Sequence, residues 1–373
     1  MKVLFITDVQ PKKDSKEGRS GFTWTIYAYL KKQESVEIEL KVYESKEPQS
    51  VIQNQLSIFA LKGGDIQAEW EKYDKVLIYP DSLLVSLPKY TLHKVIVLGP
   101  DATSMARWSK YRAYCVDTNV GKIKRIYQRL FAARFLALEK KYIPLVERYL
   151  VVGISDCRWL RKHLDKKYRD KVQFLPHPLV NNALVDFSSI TLQSGQRKRF
   201  VFAGDMSYSY VGRNIQQLSD ALRETIPKEV SPINILIVGG KNEWVYDIFQ
   251  KNDRLNVTYI KWVEDYQSVC QIGRDVHCVP LIAGAGTKNR VLTALANGLE
   301  VITTRKGVEN IPLAGLTHLY VTKDMHRFAK FIIAVSQSSN SSDELEQLIH
   351  ERTGFRDTIN RLFRTAMKKL VVE

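Results

Sequence analysis

Between Pro280 and Ile311 the chain reads PLIAGAGTKNRVLTALANGLEVITTRKGVENI, an order of residue types that could hold a phosphorylated ligand. A strand predicted over 276–281 ends at a proline, and the small residues Gly284, Ala285 and Gly286 then let a backbone approach a ligand closely. Thr287 can cap a helix predicted to run to Asn297, and Gly298 supplies its stop. A helix start exposes unpaired N–H groups and partial positive charge, which suits phosphate. Lys288 and Arg290 add full charges to that turn, where cations cost a helix roughly 0.3–1 kcal/mol each. An anion held between them and the loop would explain the arrangement; the alternative is that both point into solvent. Other phosphate strings fit less well. No GxxxxGK[ST] is present, and the third glycine of GxGxxG would fall on Asn289.

The elements that would position this loop alternate along the chain. Apolar runs at 2–9, 36–43, 75–80, 94–100, 149–155 and 173–178 read as strands, with a Gly-containing loop at 17–22 and helical patterns between. The pattern restarts with runs at 199–204, 233–240, 256–263, 276–281, 299–304 and 319–321. Short apolar strands alternating with helices predict parallel, doubly wound sheets, and two successive runs predict two such domains. The expected division is 1–178, 179–350 and a terminal amphipathic helix in 351–373.

The 280–311 segment resembles the donor-binding signature of retaining glycosyltransferases of the GT-B fold, family 4, in the variant that reads GAGTK. FAGDMSYSYVGRNIQQL (202–218), ILIVGG, YIKWVEDYQSV (259–269), EGRSGF (17–22), YLVVGISDCRWL and LPHPLVNN (175–182) resemble further family segments in the same order. The resemblance implies two Rossmann-like domains facing across a cleft, with the C-terminal helix packing back towards the first. It implies that Arg213, just before the helix at Asn214, grips the donor diphosphate, alongside Gly204. Gly284, Ala285, Gly286 and Thr287 would contact the sugar and β-phosphate, and Lys288 and Arg290 would neutralise the leaving group. The family's two glutamates fall here on Ala285 and Thr293, so Thr293 would meet the ribose with a hydroxyl instead of a carboxylate. Gly18, Arg19 and Gly21 would line the acceptor side. Asp101, just after a strand end, is the candidate to orient or deprotonate the acceptor hydroxyl; its alternative is to cap the helix beginning near Ser104. His177, between two prolines, reads as a hinge residue rather than a catalyst.

The net charge of +16 is concentrated: residues 101–178 carry 18 Lys+Arg against 7 Asp+Glu. Within it, 120–143 reads as an amphipathic helix with Lys122, Arg125 and Arg129 on one face. Ile123, Ile126, Tyr127, Leu130 and Phe131 lie largely on another. The expectation is that the apolar stripe packs inward while the charge faces anionic lipid. The start MKVLFITDV reads as a buried strand rather than a signal peptide, and no run approaches a membrane span. Four scattered cysteines predict reduced thiols and a cytosolic setting, with peripheral contact at the inner membrane face.

The expected function is metal-independent transfer of a hexose from a nucleotide sugar, with no cofactor, to a lipid-linked or glycan acceptor in polysaccharide biosynthesis. The alternatives are an accessory subunit of the same fold with impaired donor binding, and a nucleic-acid-binding protein. The charge alone suggests the last, and no nucleic-acid motif accompanies it.

Overall fold

A computed structural model describes residues 1–13, 15, 18–43, 66–99, 101–117, 120–180, 184–190, 194–206, 209–227, 231–263 and 269–372. The first half of the chain runs β1 (Lys2–Thr7), α1 (Gly18–Lys31), β2 (Glu37–Val42), β3 (Lys75–Tyr79), β4 (Val95–Val97), α2 (Thr103–Val116), α3 (Lys122–Tyr142), β5 (Arg148–Val151), α4 (Ile154–His163) and β6 (Val172–Phe174). Its strands pair in parallel in the order β2-β1-β3-β4-β5-β6. β1 is apolar at every position from Val3 to Ile6 because both faces are covered. Leu4 and Ile6 pack with Val76, Ile78, Val95 and Val97 on one side; Val3 and Phe5 pack with Phe22, Ile26, Leu77 and Ile96 on the other.

The second half runs β7 (Arg199–Ala203), α5 (Ser209–Thr225), β8 (Ile233–Val238), α6 (Glu243–Phe249), β9 (Leu255–Ile260), β10 (Asp275–Val279), α7 (Asn289–Ala296), β11 (Glu300–Thr304), β12 (Leu319–Thr322), α8 (Met325–Ser336) and α9 (Ser342–Val372). These strands are also parallel, in the order β12-β11-β10-β7-β8-β9. The core joins Phe200, Phe202, Ile235 and Ile237 of the sheet to Ile215, Leu218 and Leu222 of α5 and Phe328 and Ile332 of α8. At the amino-terminal end of this sheet Lys198 is fully buried. Its ammonium donates to the Gly273 carbonyl (2.8 Å), to Asn340 and to Glu300. Burial alone would raise the Glu300 carboxyl, but His318 and Lys198 outweigh it and hold it below its ordinary value.

The compact units are Met1–Met105 with Phe131–Asn182 and Arg361–Glu373, and Ala106–Leu130 with Ala183–Asn360. They depart from the segmentation 1–178, 179–350 and 351–373, because α2, α3 and α9 each continue from one unit's residues into the other's. Helical periodicity shows that a helix exists, not which sheet each of its turns packs on. The terminal helix also starts at Ser342, well before the expected 351, running straight through Gly354, where an added Cβ would meet nothing within 4 Å. Its last turns place Phe363, Met367 and Leu370 in the core of the first sheet.

Each sheet has one place where the chain order reverses: between β1 and β3 in the first, and between β7 and β10 in the second. Adjacent crossovers leave opposite faces there, which opens a crevice at the strands' carboxyl ends where ligands of such sheets bind.

Candidate functional site

At the second reversal, the loop after β10 carries the glycines of the GAGTK string. Gly284 (φ 130°) and Gly286 (φ 65°) both adopt backbone conformations that side chains disfavour. Three contacts hold the loop. The Gly284 N–H donates to Ser109 Oγ on α2 (3.1 Å), and Asn310 Nδ2 donates to the Gly286 carbonyl (2.9 Å). The Lys288 ammonium curls back to donate to the carbonyls of Ala285 and Gly286, the latter at 3.0 Å. Thr287 is not the helix cap. α7 starts at Asn289, Lys288 is its N-cap residue, and no side chain caps it. At the other end Gly298 (φ 76°) does stop the helix, with the Leu299 N–H returning to the Ala294 carbonyl (3.1 Å).

The loop after β7 meets this one through Arg290. Gly204 has φ 89°, and a Cβ there would lie 2.5 Å from Arg290 Nε. The guanidinium of Arg290 lies over the glycine and donates to the Asp205 carbonyl. Asn242, fully buried, fastens the same loop to the end of β8. Its Nδ2 donates to the carbonyls of Gly204 (2.6 Å) and Val238 (2.8 Å), and its Oδ1 accepts from the Met206 N–H (3.0 Å). Asn214 Nδ2, also buried, donates to the Pro280 carbonyl (2.9 Å) and ties the start of α5 to the end of β10. Arg213 therefore lies inside α5, as its fifth residue, and not before the helix. Its half-buried guanidinium has no hydrogen-bond or ion-pair partner among the described residues. Thr293 is half-buried in α7.

The structure thus brings Gly204, Gly284–Lys288 and Arg290 together around one crevice. Asn242, Asn214 and Ser109 do much of the holding, and the sequence reading missed all three. Asn242 had a signal, an amide two residues beyond the Gly239–Gly240 strand end. Ser109, 175 residues from its partner, had none.

The first reversal is built differently. Gly18, Arg19 and Gly21 lie in α1, not in a loop: the helix starts at Gly18. Gly21 sits against Val180, whose Cγ1 would be 2.8 Å from an added Cβ. The Arg19 guanidinium donates to both oxygens of Asp8, each at 2.5 Å, and lies 5.7 Å from the centre of the Tyr79 ring. Burial works against the Arg19 charge, but Asp8 outweighs it and raises the group further. Burial likewise pushes Tyr79 up, with the charges of Asp8 and Asp101 adding to it and Arg19 opposing. Asp101 is exposed, two residues before α2. The amides beside it go to other carboxylates: Asp156 accepts from Ala102 (2.8 Å) and Glu139 from Ser104 (3.1 Å). His177 packs on Phe22, and burial pulls it down to about 4, so it is neutral at physiological pH.

In α3, Lys122 and Arg129 are exposed, while Arg125 turns back to the carbonyls of Val120 (2.9 Å) and Asp117 (2.8 Å). The apolar stripe expected to pack inward is split: Phe131 does so and Tyr127 is half-buried, but the other three face out. Ile123 is 84%, Ile126 58% and Leu130 64% exposed, whereas Gln128, Phe131 and Ala132 form the buried face. Among the described residues no helix is long and apolar enough to cross a membrane, and no group of three His, Cys, Asp or Glu could hold a metal ion.

Residues 197–338 match the family model for glycosyl transferases group 1. No curated protein matches the chain in sequence. Among solved structures, the chain is similar to sucrose-phosphate synthase from Thermosynechococcus elongatus at a TM-score of 0.64 and 14% identity, over 99% of this chain and 98% of that one. It is similar to WaaG, a glycosyltransferase involved in lipopolysaccharide biosynthesis, at 0.56 and 14%, over 100% of both chains. It is also similar to HepE from Anabaena in complex with UDP-glucose, at 0.54 and 11%, over 100% and 98%. At these identities the likeness carries the fold, which is the two-domain, Rossmann-like GT-B fold.

Proposed function

We propose that the protein is a glycosyltransferase that moves a hexose from a nucleoside-diphosphate sugar to a membrane-linked acceptor, lipid or polysaccharide, with retention at the anomeric carbon. One observation carries the reading. Two cations, Lys288 and Arg290, and two positive-φ glycine loops meet at the reversal of the second sheet, with Arg213 in the second turn of the helix that follows β7, inside the segment that matches the transferase family. Backbone N–H groups there suit a β-phosphate, and a guanidinium fork suits two phosphate oxygens. The acceptor oxygen bonds to the anomeric carbon as the bond from that carbon to the diphosphate oxygen breaks. The bonding pair leaves with the diphosphate, which takes up the acceptor proton. Arg213, Lys288 and Arg290 meet the charge that develops, in place of a metal. On the first domain, Asp101 is the residue assigned to orient the acceptor, with Arg19 and the start of α1 as further acceptor-side candidates.

The test is a thermal-shift screen of nucleoside diphosphates, since a ligand at a hundred times its dissociation constant stabilises by about 2.7 kcal/mol. A shift with UDP or another diphosphate, lost in Arg213→Ala, supports the reading. No shift with any of them removes it. Transfer in the presence of a chelator tests the metal-independent step.

A second reading, an accessory subunit with the same fold, draws on two features. Thr293 offers the ribose one hydroxyl, and Lys288 and Arg290 already donate to loop carbonyls that an incoming phosphate must displace. Absence of turnover with every nucleotide sugar, alone and with membranes, would favour it.

A further inference from the structure

The outward ridge of α3 has no role in the site described above. Ile123, Ile126 and Leu130 recur at helical spacing and fall within about 60° of one another around the axis. Val116, the last residue of α2, is 61% exposed as well. Single exposed apolar side chains are ordinary, but an aligned set of large ones is a signature of an interaction surface. The face opposite the ridge, with Gln128, Phe131, Ala132 and Glu139, is buried, so the helix cannot roll the ridge inward without losing its packing. Lys122 and Arg129 flank the ridge on one side, and both are exposed. The surrounding segment, 101–178, holds most of the positive charge of the chain.

We infer that this ridge is a membrane-insertion surface for an anionic phospholipid bilayer. The helix lies along the headgroups, with Ile123, Ile126 and Leu130 entering the acyl boundary and Lys122 and Arg129 among the lipid phosphates. An apolar line bordered by cations matches a bilayer, whose phosphates lie above its hydrocarbon; a purely basic face would match only the phosphates. The helix supplies both terms of peripheral binding at once, which a single weak anchor does not. The inference extends the reading of a membrane-linked acceptor, but it concerns binding alone and needs no turnover.

The experiment is cosedimentation of the full chain with vesicles of phosphatidylglycerol and phosphatidylcholine, and with phosphatidylcholine alone. Binding is expected to the anionic vesicles and to weaken with salt. Lys122→Gln with Arg129→Gln should weaken it about 25-fold, at roughly fivefold per charge. The triple variant Ile123→Ser, Ile126→Ser, Leu130→Ser should lose binding at least as strongly while keeping the parent's nucleotide affinity and thermal midpoint. Insertion itself is read from Ile126→Cys carrying an environment-sensitive fluorophore in a Cys115→Ser background, the other three cysteines being buried. Its emission should move to shorter wavelength on anionic vesicles. Undiminished binding by the triple variant, or unchanged emission in the bound state, overturns the inference. So does a dimer in solution that the triple variant dissociates, since the ridge would then be covered by a second copy. Loss of every nucleotide effect in the parent would sink the transfer reading and leave the vesicle result standing.

Discussion

The two sheets reverse their chain order in the same way, yet the crevices at the two reversals are fastened differently. In the first, Arg19 is bound by both oxygens of Asp8 beside Tyr79, so cation and anion cancel. In the second, neutral amides do the fastening. Asn242 and Asn214 hold the loops by carbonyls and N–H groups, and Lys288 and Arg290 donate to loop carbonyls. One topology thus yields a crevice fastened by an ion pair and one fastened by amides and cation-to-carbonyl bonds. Topology fixes where a ligand can go, and local side chains fix its sign.

The comparison breaks most visibly at Asn242. Asn242→Ala leaves the Gly204 carbonyl and the Met206 N–H without this partner in a buried place, while the Val238 carbonyl keeps the Gly204 N–H, with an expected cost on the order of 3 kcal/mol. Faster amide exchange in β7 and β8, with β1 and β3 unchanged, is the outcome to measure; uniform protection would mean that the amide lacing is dispensable. Next comes the charge itself. Arg213→Ala should weaken nucleoside-diphosphate affinity by roughly ten- to a hundredfold, at about 1.5–3 kcal/mol for a charged hydrogen bond, with little change in thermal midpoint. Unchanged affinity in calorimetry takes Arg213 out of the site.

Glu139 of the first unit and His277 of the second make pH-dependent contributions of opposite sign, while the buried His177 of the first unit shares the direction of His277. Burial raises Glu139, in the first, to about 8, against hydrogen bonds from Ser104 that lower it. The folded state then holds a proton that the unfolded state releases above its ordinary carboxylate value. That contribution is complete at acid pH and fades as pH rises from about 4.5 to about 8. Burial pulls His277, in the second, down to about 3. Its contribution is present above the ordinary imidazole value and fades as pH falls from about 6.5 towards 3. Glu139→Gln should flatten the alkaline side of exchange protection in β4 and β5, and leave that in β10 as it was. The smallest effect is expected at Asp8→Asn. That ion pair is partly exposed, with Arg19 at 46%, so its loss should cost under about 1 kcal/mol and leave nucleotide affinity untouched. A large loss of nucleotide binding there would erase the distinction between the crevices.

The alternation of apolar strands and helices was legible because parallel strands covered on both faces are dominated by apolar residues, as Val3–Ile6 and Val95–Val97 show. The glycines of the GAGTK loop were legible too, since left-handed backbone leaves few other residues, and Gly298 marked a helix end for the same reason. Capping and helix starts were less so. Arg213 and Gly18 sit inside helices rather than before them because neighbouring contacts, not propensity, set where the first turn forms.

What the residues determined by themselves is the architecture and the place of the phosphate-like loop, since periodicity and backbone conformation are local properties. What only the tertiary structure decided is which partner each polar group takes and which way each helix faces. Ser109 reaches Gly284 across 175 residues, and α3 turns Ile123, Ile126 and Leu130 outward although their pattern alone suits a core. Amphipathic spacing defines an apolar face, but the packing of every other element decides whether that face meets protein or solvent.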